Sequence, residues 1–283
     1  MPERPAIRPA RADDLARLGP VYEQAGFGAR LAGVVGFAKT RLEGEVVVAE
    51  SGGELVGVAA GAMFDTTGWV GGVAVVPAQR RVGLGGALTE AIVEFLEGRG
   101  AATVLLHATA LGRPVYERLG FVPETAYLTL AGPTRPPAQT SARPDPGPRP
   151  RTGRAADLEA VLALDLAATG EDRRRLLTAL WPSGGLVAPA GGHPLGYHLG
   201  SPWRSGGATV AADPRAGLAL LEAVLATPGD EVGVSVPAAN PAAVQFLQAA
   251  GFAERYRTIR MHRGPRVPWD PAALFGAHNL FWG

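Results

Sequence analysis

Cysteine is absent from all 283 residues. That excludes disulfides, iron–sulfur clusters, thiolate zinc sites and a cysteine nucleophile. Lysine is nearly absent: Lys39 stands alone, and every other basic side chain is arginine. With the plentiful Ala, Gly and Pro, we read this as a compositional bias without functional content. An excess of one charge sign is also missing. Lys+Arg is 27 and Asp+Glu is 26, a formal net charge of +1. This balance argues against a basic nucleic-acid binder and an acidic tail protein. No apolar run reaches the roughly 18 residues of a membrane span. The opening MPERPAIRPARADD is charged early and holds no apolar signal stretch, so a cytoplasmic protein is expected. Histidines at 107, 193, 198, 262 and 278 show no His-Glu-x-x-His spacing, and no metal site is expected.

What is present is a globular composition, with 47% hydrophobic residues. The length suits one large domain or two of about 100–150 residues. The clearest boundary is PTRPPAQTSARPDPGPRP, residues 133–150, where seven prolines leave almost no large apolar side chain. Such a segment favours extended polyproline geometry and cannot bury a core. The expected division is therefore a domain over 1–132, a linker over 133–150 and a second domain over 151–283.

Before the linker the periodicity alternates. Ala6–Arg8 reads as a strand. Asp13 is the expected N-cap of a helix carrying Leu15, Leu18, Val21 and Tyr22. A second helix is expected from Ala29 to Leu42. Strands follow at Glu45–Glu50, Glu54–Phe64 and Trp69–Val76. Leu84–Leu96 is an amphipathic helix, Thr103–His107 a strand, Pro114–Leu119 a short helix and Thr125–Leu130 a closing strand.

After the linker the order recurs. Helices are expected at Asp157–Ala168 and Asp172–Trp181. Strands are expected at Gly185–Ala188, Gly196–Gly200 and Ala208–Ala212. A helix at Ala216–Ala226, a strand at Glu231–Val236, a helix at Pro241–Ala249 and a strand at Tyr256–His262 complete the set. Gly120-Phe121 matches Gly251-Phe252, and Arg81, Gly83 and Leu84 match Arg215, Gly217 and Leu218. The pattern is a diverged internal duplication. It predicts an internal pseudo-dimer, as a monomer or in a homodimer.

The informative stretch is VAVVPAQRRVGLGGAL, residues 73–88. A strand ends at Pro77, and a loop with Gly83, Gly85 and Gly86 leads into a helix. The first helical amides lack internal partners and sit at the positive end of the helix dipole. Glycines let that backbone approach a ligand closely. The pattern suits a diphosphate. Its spacing, Arg80-x-x-Gly83-x-Gly85, is neither the dinucleotide fingerprint nor an ATP-binding loop. Taken alone, the glycines also fit a tight strand–helix turn, the lesser of the two readings.

Further on, Tyr116 precedes Gly120 by four residues on a short helix after the next strand. Arg80-x-x-Gly83-x-Gly85 followed by Tyr-x-x-x-Gly-Phe resembles the GNAT acetyltransferase superfamily, and the element order over 6–130 agrees. Residues 151–263 resemble a second, degenerate GNAT repeat. The resemblance implies an α/β (α+β) fold of two GNAT-like domains, each a mixed, mostly antiparallel twisted sheet flanked by helices. It implies acetyl-CoA as co-substrate. Val73, Ala74 and Val75 would bond the pantetheine arm through their backbone. The loop from Arg80 through Arg81, Val82, Gly83, Leu84, Gly85 and Gly86 would hold the pyrophosphate. Thr109 stands where many members place an Asn that contacts the cofactor. Tyr116 matches the tyrosine near the thioester sulfur.

An ordinary thiol has a pKa of about 8.5 and tyrosine about 10. A protonated Tyr116 can therefore serve a departing thiolate as general acid. A general base is harder to place. Some relatives carry a Glu four residues before the first pantetheine-binding residue; here that position is Trp69. Glu50 and Asp65 are the candidate substitutes, though each reads first as a solvated strand-end residue. Trp69 reads as core or as acceptor-pocket lining, and His107 as a structural strand-end residue. In the second repeat Pro214 replaces Arg80, Ala219 replaces Gly85 and Leu247 replaces the tyrosine, while Asn240 restores the family's Asn. A second acetyl-CoA site is not expected there. Arg173–Arg175 read as a solvated helix face. Trp203, Arg204, His193 and His198 have no assigned role.

The expected function is acetyl transfer to the amine of a small molecule or peptide. The alternatives are a non-catalytic acetyl-CoA binder or sensor, and a tandem acyltransferase resembling mycothiol synthase, whose active copy is the C-terminal one.

Overall fold

A computed structural model describes residues 5–134, 147–227, 229 and 231–283. The chain forms two compact units. The first runs to Pro123 and also holds Met261–Arg266 and Trp282. The second begins at Glu124 and includes Val267–Phe281 and Gly283.

The first unit carries, in chain order, β1 (Ala6–Pro9), α1 (Ala12–Ala25), α2 (Leu31–Arg41), β2 (Glu45–Ser51), β3 (Glu54–Phe64), β4 (Thr67–Val75), α3 (Leu84–Gly98), β5 (Thr103–Ala108) and α4 (Arg113–Arg118). The strands lie in the order β1-β2-β3-β4-β5. Neighbours are antiparallel except β4 and β5, which run parallel. The N-cap of α1 is Arg11 rather than the expected Asp13. Asp14, three residues into the helix, turns back and accepts the Arg11 main-chain N–H at 2.8 Å. That bond satisfies a donor the helix itself leaves unpaired.

α3 buries Leu84, Leu88, Ile92 and Leu96 along one stripe. Strand glycines let it lie close against the sheet. A Cβ added at Gly57 or Gly61 would come within 2.8 Å of Leu88 or Ile92. This close seat aims the N-terminus of α3 at the C-terminal end of β4.

The second unit carries β6 (Val122–Pro133), β7 (Arg151–Thr152), α5 (Leu158–Thr169), α6 (Arg174–Leu180), β8 (Gly185–Ala190), β9 (His193–Ser201), β10 (Arg204–Ala211), α7 (Pro214–Leu225), β11 (Glu231–Pro237), α8 (Pro241–Ala249), β12 (Ala253–Arg263) and β13 (Leu274–Gly276). One sheet has the order β13-β10-β9-β8-β7. β6 pairs antiparallel with β11, placing Leu130 opposite Val234 and Thr129 opposite Ser235. The Thr129 and Ser235 hydroxyls lie 2.8 Å apart in a hydrogen bond.

The units do not follow the expected boundary at 132. The closing strand expected for the first repeat lies in the second unit, where Leu128 and Leu130 join a core with Leu220, Val234, Val236 and Leu247. In return, Met261–Arg266 belong to the first unit. There Thr103 Oγ1 donates to the Pro265 carbonyl at 2.6 Å, and Arg263 pairs with Glu97 at 3.1 Å. Alternating apolar residues say that a segment is a strand, not which copy it joins. Most of the expected linker, residues 135–146, lies outside the described residues.

The remaining differences are local. A two-residue strand at Arg151–Thr152 was not expected, nor was β13 within the C-terminal tail. Arg173 is a correction. Its neighbours Arg174 and Arg175 are exposed, but Arg173 is buried and bonded through Nε and Nη2 to both oxygens of Asp165, at 2.9 and 2.5 Å. Tyr197 donates its hydroxyl to the same carboxylate at 2.6 Å. A buried guanidinium of this kind needs a partner it can bind bidentately.

Candidate functional site

The site begins with a fork. β4 and β5 pair in parallel from Thr67–Thr103 to Val70–Leu106, and among the described residues the ladder stops there. Past that point Val73 and Val75 are half-buried and Ala74 is buried. The cause is a bulge on the other edge of β4. Val58 faces Ala74 while Ala60 faces Gly71, so Gly72 and Val73 oppose the single residue Ala59. An extra residue in one strand bends it and sharpens its twist.

Gly72 makes the bulge possible. Its φ is +62°, and an added Cβ would lie 2.7 Å from both the Tyr22 hydroxyl and Val35. The buried Tyr22 hydroxyl donates to the Gly72 carbonyl at 2.9 Å. That bond ties α1 to the point where β4 turns away from β5.

A short 3-10 turn, Pro77–Gln79, follows β4. Arg80 then spends its side chain on the backbone. Nε donates to the Val75 carbonyl and Nη2 to the Ala25 carbonyl, both at 3.0 Å. Arg80 thus staples the end of β4 to the end of α1. Arg81 is a non-glycine residue in the left-handed region, at φ +67°, and Gly83 follows at φ +82° as N-cap of α3. Alternating backbone hands of this kind make a concavity of main-chain N–H groups that suits an anion.

The first main-chain bond within α3 runs from Ala87 N to Gly83 O, at 3.1 Å. Among the described residues none accepts the N–H groups of residues 81–86. Nothing lies within 4 Å of a Cβ built at Gly83, and at Gly85 the nearest atom is Val75 Cγ2 at 3.9 Å. The protein itself therefore does not require a bare backbone at Gly85. A diphosphate seated on these amides would. Arg81, Val82 and Gly83 are exposed and Leu84 is buried.

The second arm of the fork brings α4. Thr109 Oγ1 accepts the Gly112 N–H at 3.2 Å, and the Thr109 carbonyl accepts the Arg113 N–H at 2.9 Å. The threonine therefore starts α4, and its exposed hydroxyl keeps its own proton to give. Half-buried Tyr116 stands edge-on to Phe121, with ring centroids 6.1 Å apart. Loss of solvation pushes its phenol up to about 12, with the neighbouring Thr89 side chain pulling the other way. Thr89 lies on α3 one turn past Gly85 and donates to the Gly85 carbonyl at 2.9 Å. Thr89 thereby closes the first turn of α3 beside the glycine loop, a contact the sequence does not announce.

Of the two base candidates, Glu50 is occupied and Asp65 is remote. Glu50 accepts both Nε and Nη2 of Arg8, at 2.9 and 2.5 Å. Asp65 sits in the turn before β4, at the end away from the glycine loop. Trp69 is buried and stacked on His107, centroids 5.3 Å apart and planes 21° from parallel. His107 directly follows Leu106, the last residue paired across the fork. Among the described residues no group of three or more His, Asp or Glu could hold a metal ion, and no helix is long and apolar enough to cross a membrane.

Comparison with known proteins agrees with this geometry. Residues 17–121 match the acetyltransferase (GNAT) family, and residues 161–276 match an acetyltransferase (GNAT) domain. No curated protein matches the sequence. A candidate acetyltransferase from Pyrococcus horikoshii is similar over 99% of this chain and 96% of its own, at 20% identity and a TM-score of 0.83. A GCN5-related N-acetyltransferase from Sphaerobacter thermophilus covers 95% of this chain and 98% of its own, at 20% identity and a TM-score of 0.61. A tandem GNAT protein from the clavulanic acid biosynthesis pathway covers 93% of this chain and 99% of its own, at 18% identity and a TM-score of 0.59.

Proposed function

We propose, for a chain that belongs to the GNAT acetyltransferase family and carries two such domains in tandem, that the first unit transfers acetyl from acetyl-CoA to an amine. The carrying observation is the fork between β4 and β5, closed at one end by the N–H groups of residues 81–86. In this reading Val73, Ala74 and Val75 offer backbone partners to the pantetheine amides. The pyrophosphate lies on residues 81–86, Arg80 holds the loop in place, and Thr109 keeps a hydroxyl proton to donate. The acceptor is the amine of a small molecule or peptide.

The chemistry asks little of the side chains. The amine nitrogen attacks the thioester carbonyl, a C–N bond forms, and the C–S bond breaks. The nitrogen's surplus proton leaves through water, since Trp69 stands at the position of the family's strand carboxylate. Tyr116 gives its phenolic proton to the departing thiolate and regains one from solvent. A phenol raised to about 12 stays protonated at neutral pH. Backbone donors at the fork would stabilise the oxyanion.

The second unit takes a supporting part, its repeat being degenerate at Pro214, Ala219 and Leu247. The test is thiol release from acetyl-CoA with a panel of amines. Stoichiometric thiol and acetylated amine support the enzyme. Tight acetyl-CoA binding without turnover across the panel would replace it with the binder.

A further inference from the structure

The second unit also has a fork, and a strand fills it. β10 and β11 approach closely at Gly206 and Gly233, where a Cβ on Gly206 would lie 2.2 Å from the Gly233 carbonyl. Farther along, β13 enters between them. Thr209 pairs with Gly276 and Val210 with Leu274 on the β10 side. On the β11 side the Ala277 N–H donates to the Ser235 carbonyl at 2.8 Å.

Three further features fit this segment to its place. Phe275 is fully buried, and its ring lies where a Cβ at Gly217 would come within 2.4 Å. Gly217, in the first turn of α7, corresponds in the duplication to Gly83. Asn240, the counterpart of Thr109, accepts the Ala243 N–H and donates to the Ala272 and Leu274 carbonyls, all at 3.0 Å. Gly276 has no room for a side chain, since a Cβ would sit 2.8 Å from the Gly207 carbonyl.

We infer that the fork between β10 and β11 is a strand-binding slot occupied by the chain's own Leu274–Ala277, so that the second unit takes an extended peptide there in place of acetyl-CoA. The recognised pattern is a bulky apolar residue at 275 followed by a small one at 276. Strand addition supplies main-chain hydrogen bonds, and the pocket over Gly217 supplies selectivity. The slot is the second repeat's counterpart of the open fork in the first unit. Asn240 explains why a restored family residue need not restore a cofactor site: its three hydrogen-bonding arms are spent on α8 and the tail.

The inference concerns the second unit alone and is tested without acetyl-CoA turnover. Hydrogen exchange on the full chain should show the Gly276 and Ala277 amides protected at least 100-fold over an unstructured peptide. Gly217→Ala favours the helix but collides with the Phe275 ring. It should raise exchange at those two amides tenfold or more while leaving the β8–β9 amides unchanged. In a second arm, a labelled peptide of residues 268–281 is added to full-length Phe275→Ala. It should bind, and the same peptide with Phe275 replaced by Ala should bind at least tenfold more weakly. If Phe275→Ala does not fold, exchange in the native and Gly217→Ala chains decides. Unprotected amides in the native chain, equal binding of the two peptides, or two equivalents of acetyl-CoA per native chain would each overturn the inference. Failure of the first unit to bind acetyl-CoA would leave these readouts untouched.

Discussion

Arg151 grips Asp157 with both terminal nitrogens, each 2.8 Å from a carboxylate oxygen. Arg8 grips Asp14 in the same way, at 2.5 and 3.2 Å. Each aspartate also accepts the main-chain N–H of the arginine three residues earlier, Arg11 or Arg154. The pattern Arg-x-x-Arg-x-x-Asp opens both repeats, at 8–14 and 151–157. It is a structural trace of the duplication and anchors the first strand of each repeat, β1 or β7, to the turn that follows.

Acid stability should follow from these two pairs. The guanidinium hydrogen bond holds each carboxyl down at about 2, below its ordinary value of 3.8, against the opposing effect of burial. The unfolded chain binds these protons first as pH drops. The stabilisation is therefore complete above about pH 4 and disappears as pH falls through the folded value near 2. Asp14→Asn should cost about 2 kcal/mol at pH 7, the scale of a charge-assisted bond. Urea midpoints of the native and Asn chains should converge as pH falls from 5 to 2. A constant gap would mean that the charge is not what stabilises the turn.

His198 gives a second pH window. It is buried, with Nδ1 2.9 Å from the Thr209 hydroxyl, and burial pushes its imidazole down to about 4 from 6.5. Between those values the unfolded chain binds a proton that the folded chain refuses. Stability is then full above about pH 6.5 and falls toward pH 4, by up to about 1.4 kcal/mol per pH unit for one proton. His198→Gln should flatten the slope of unfolding free energy in that interval. An unchanged slope would place the titration elsewhere.

The legible parts were those governed by local rules. The glycine loop, α3 and Tyr116 follow from periodicity, helix ends and spacing, and apart from β7 and β13 the described strands and α-helices fall within a few residues of the expected ones. Three things were not legible. The exchange of strand ends between units depends on which core accepts Leu128 and Leu130, and both cores are apolar. The bulge at Gly72 shows in sequence only as Gly71-Gly72 inside a strand, which signals irregularity but not its direction. Arg173 reads as one of three consecutive arginines, and only the approach of Asp165 and Tyr197 from distant elements makes it a buried one.

The glycine loop gives a direct binding test. Space is open around Gly85, so a larger residue there need not disturb the fold. Gly85→Glu should weaken acetyl-CoA binding at least tenfold, or about 1.4 kcal/mol, through steric block and like-charge repulsion with the pyrophosphate. Calorimetry should show this with the thermal midpoint of unfolding nearly unchanged. Native affinity in the variant would move the pyrophosphate away from α3.

Tyr116 separates an enzyme from a binder. Tyr116→Phe keeps the ring and its edge-on contact with Phe121 while removing the hydroxyl. If the phenol protonates the leaving thiolate, turnover of an accepted amine should fall by roughly 100-fold or more, the scale of a positioned acid. Acetyl-CoA affinity should barely move, because the proposed pyrophosphate and pantetheine contacts are main-chain groups of β4 and the loop. A loss in kcat and kcat/KM together marks an interaction made in the transition state. A structural tyrosine predicts the opposite division, with a small loss of stability and an unchanged rate. Full activity in Tyr116→Phe would leave water as the acid at this fork and reduce Tyr116 to packing α4 against α3.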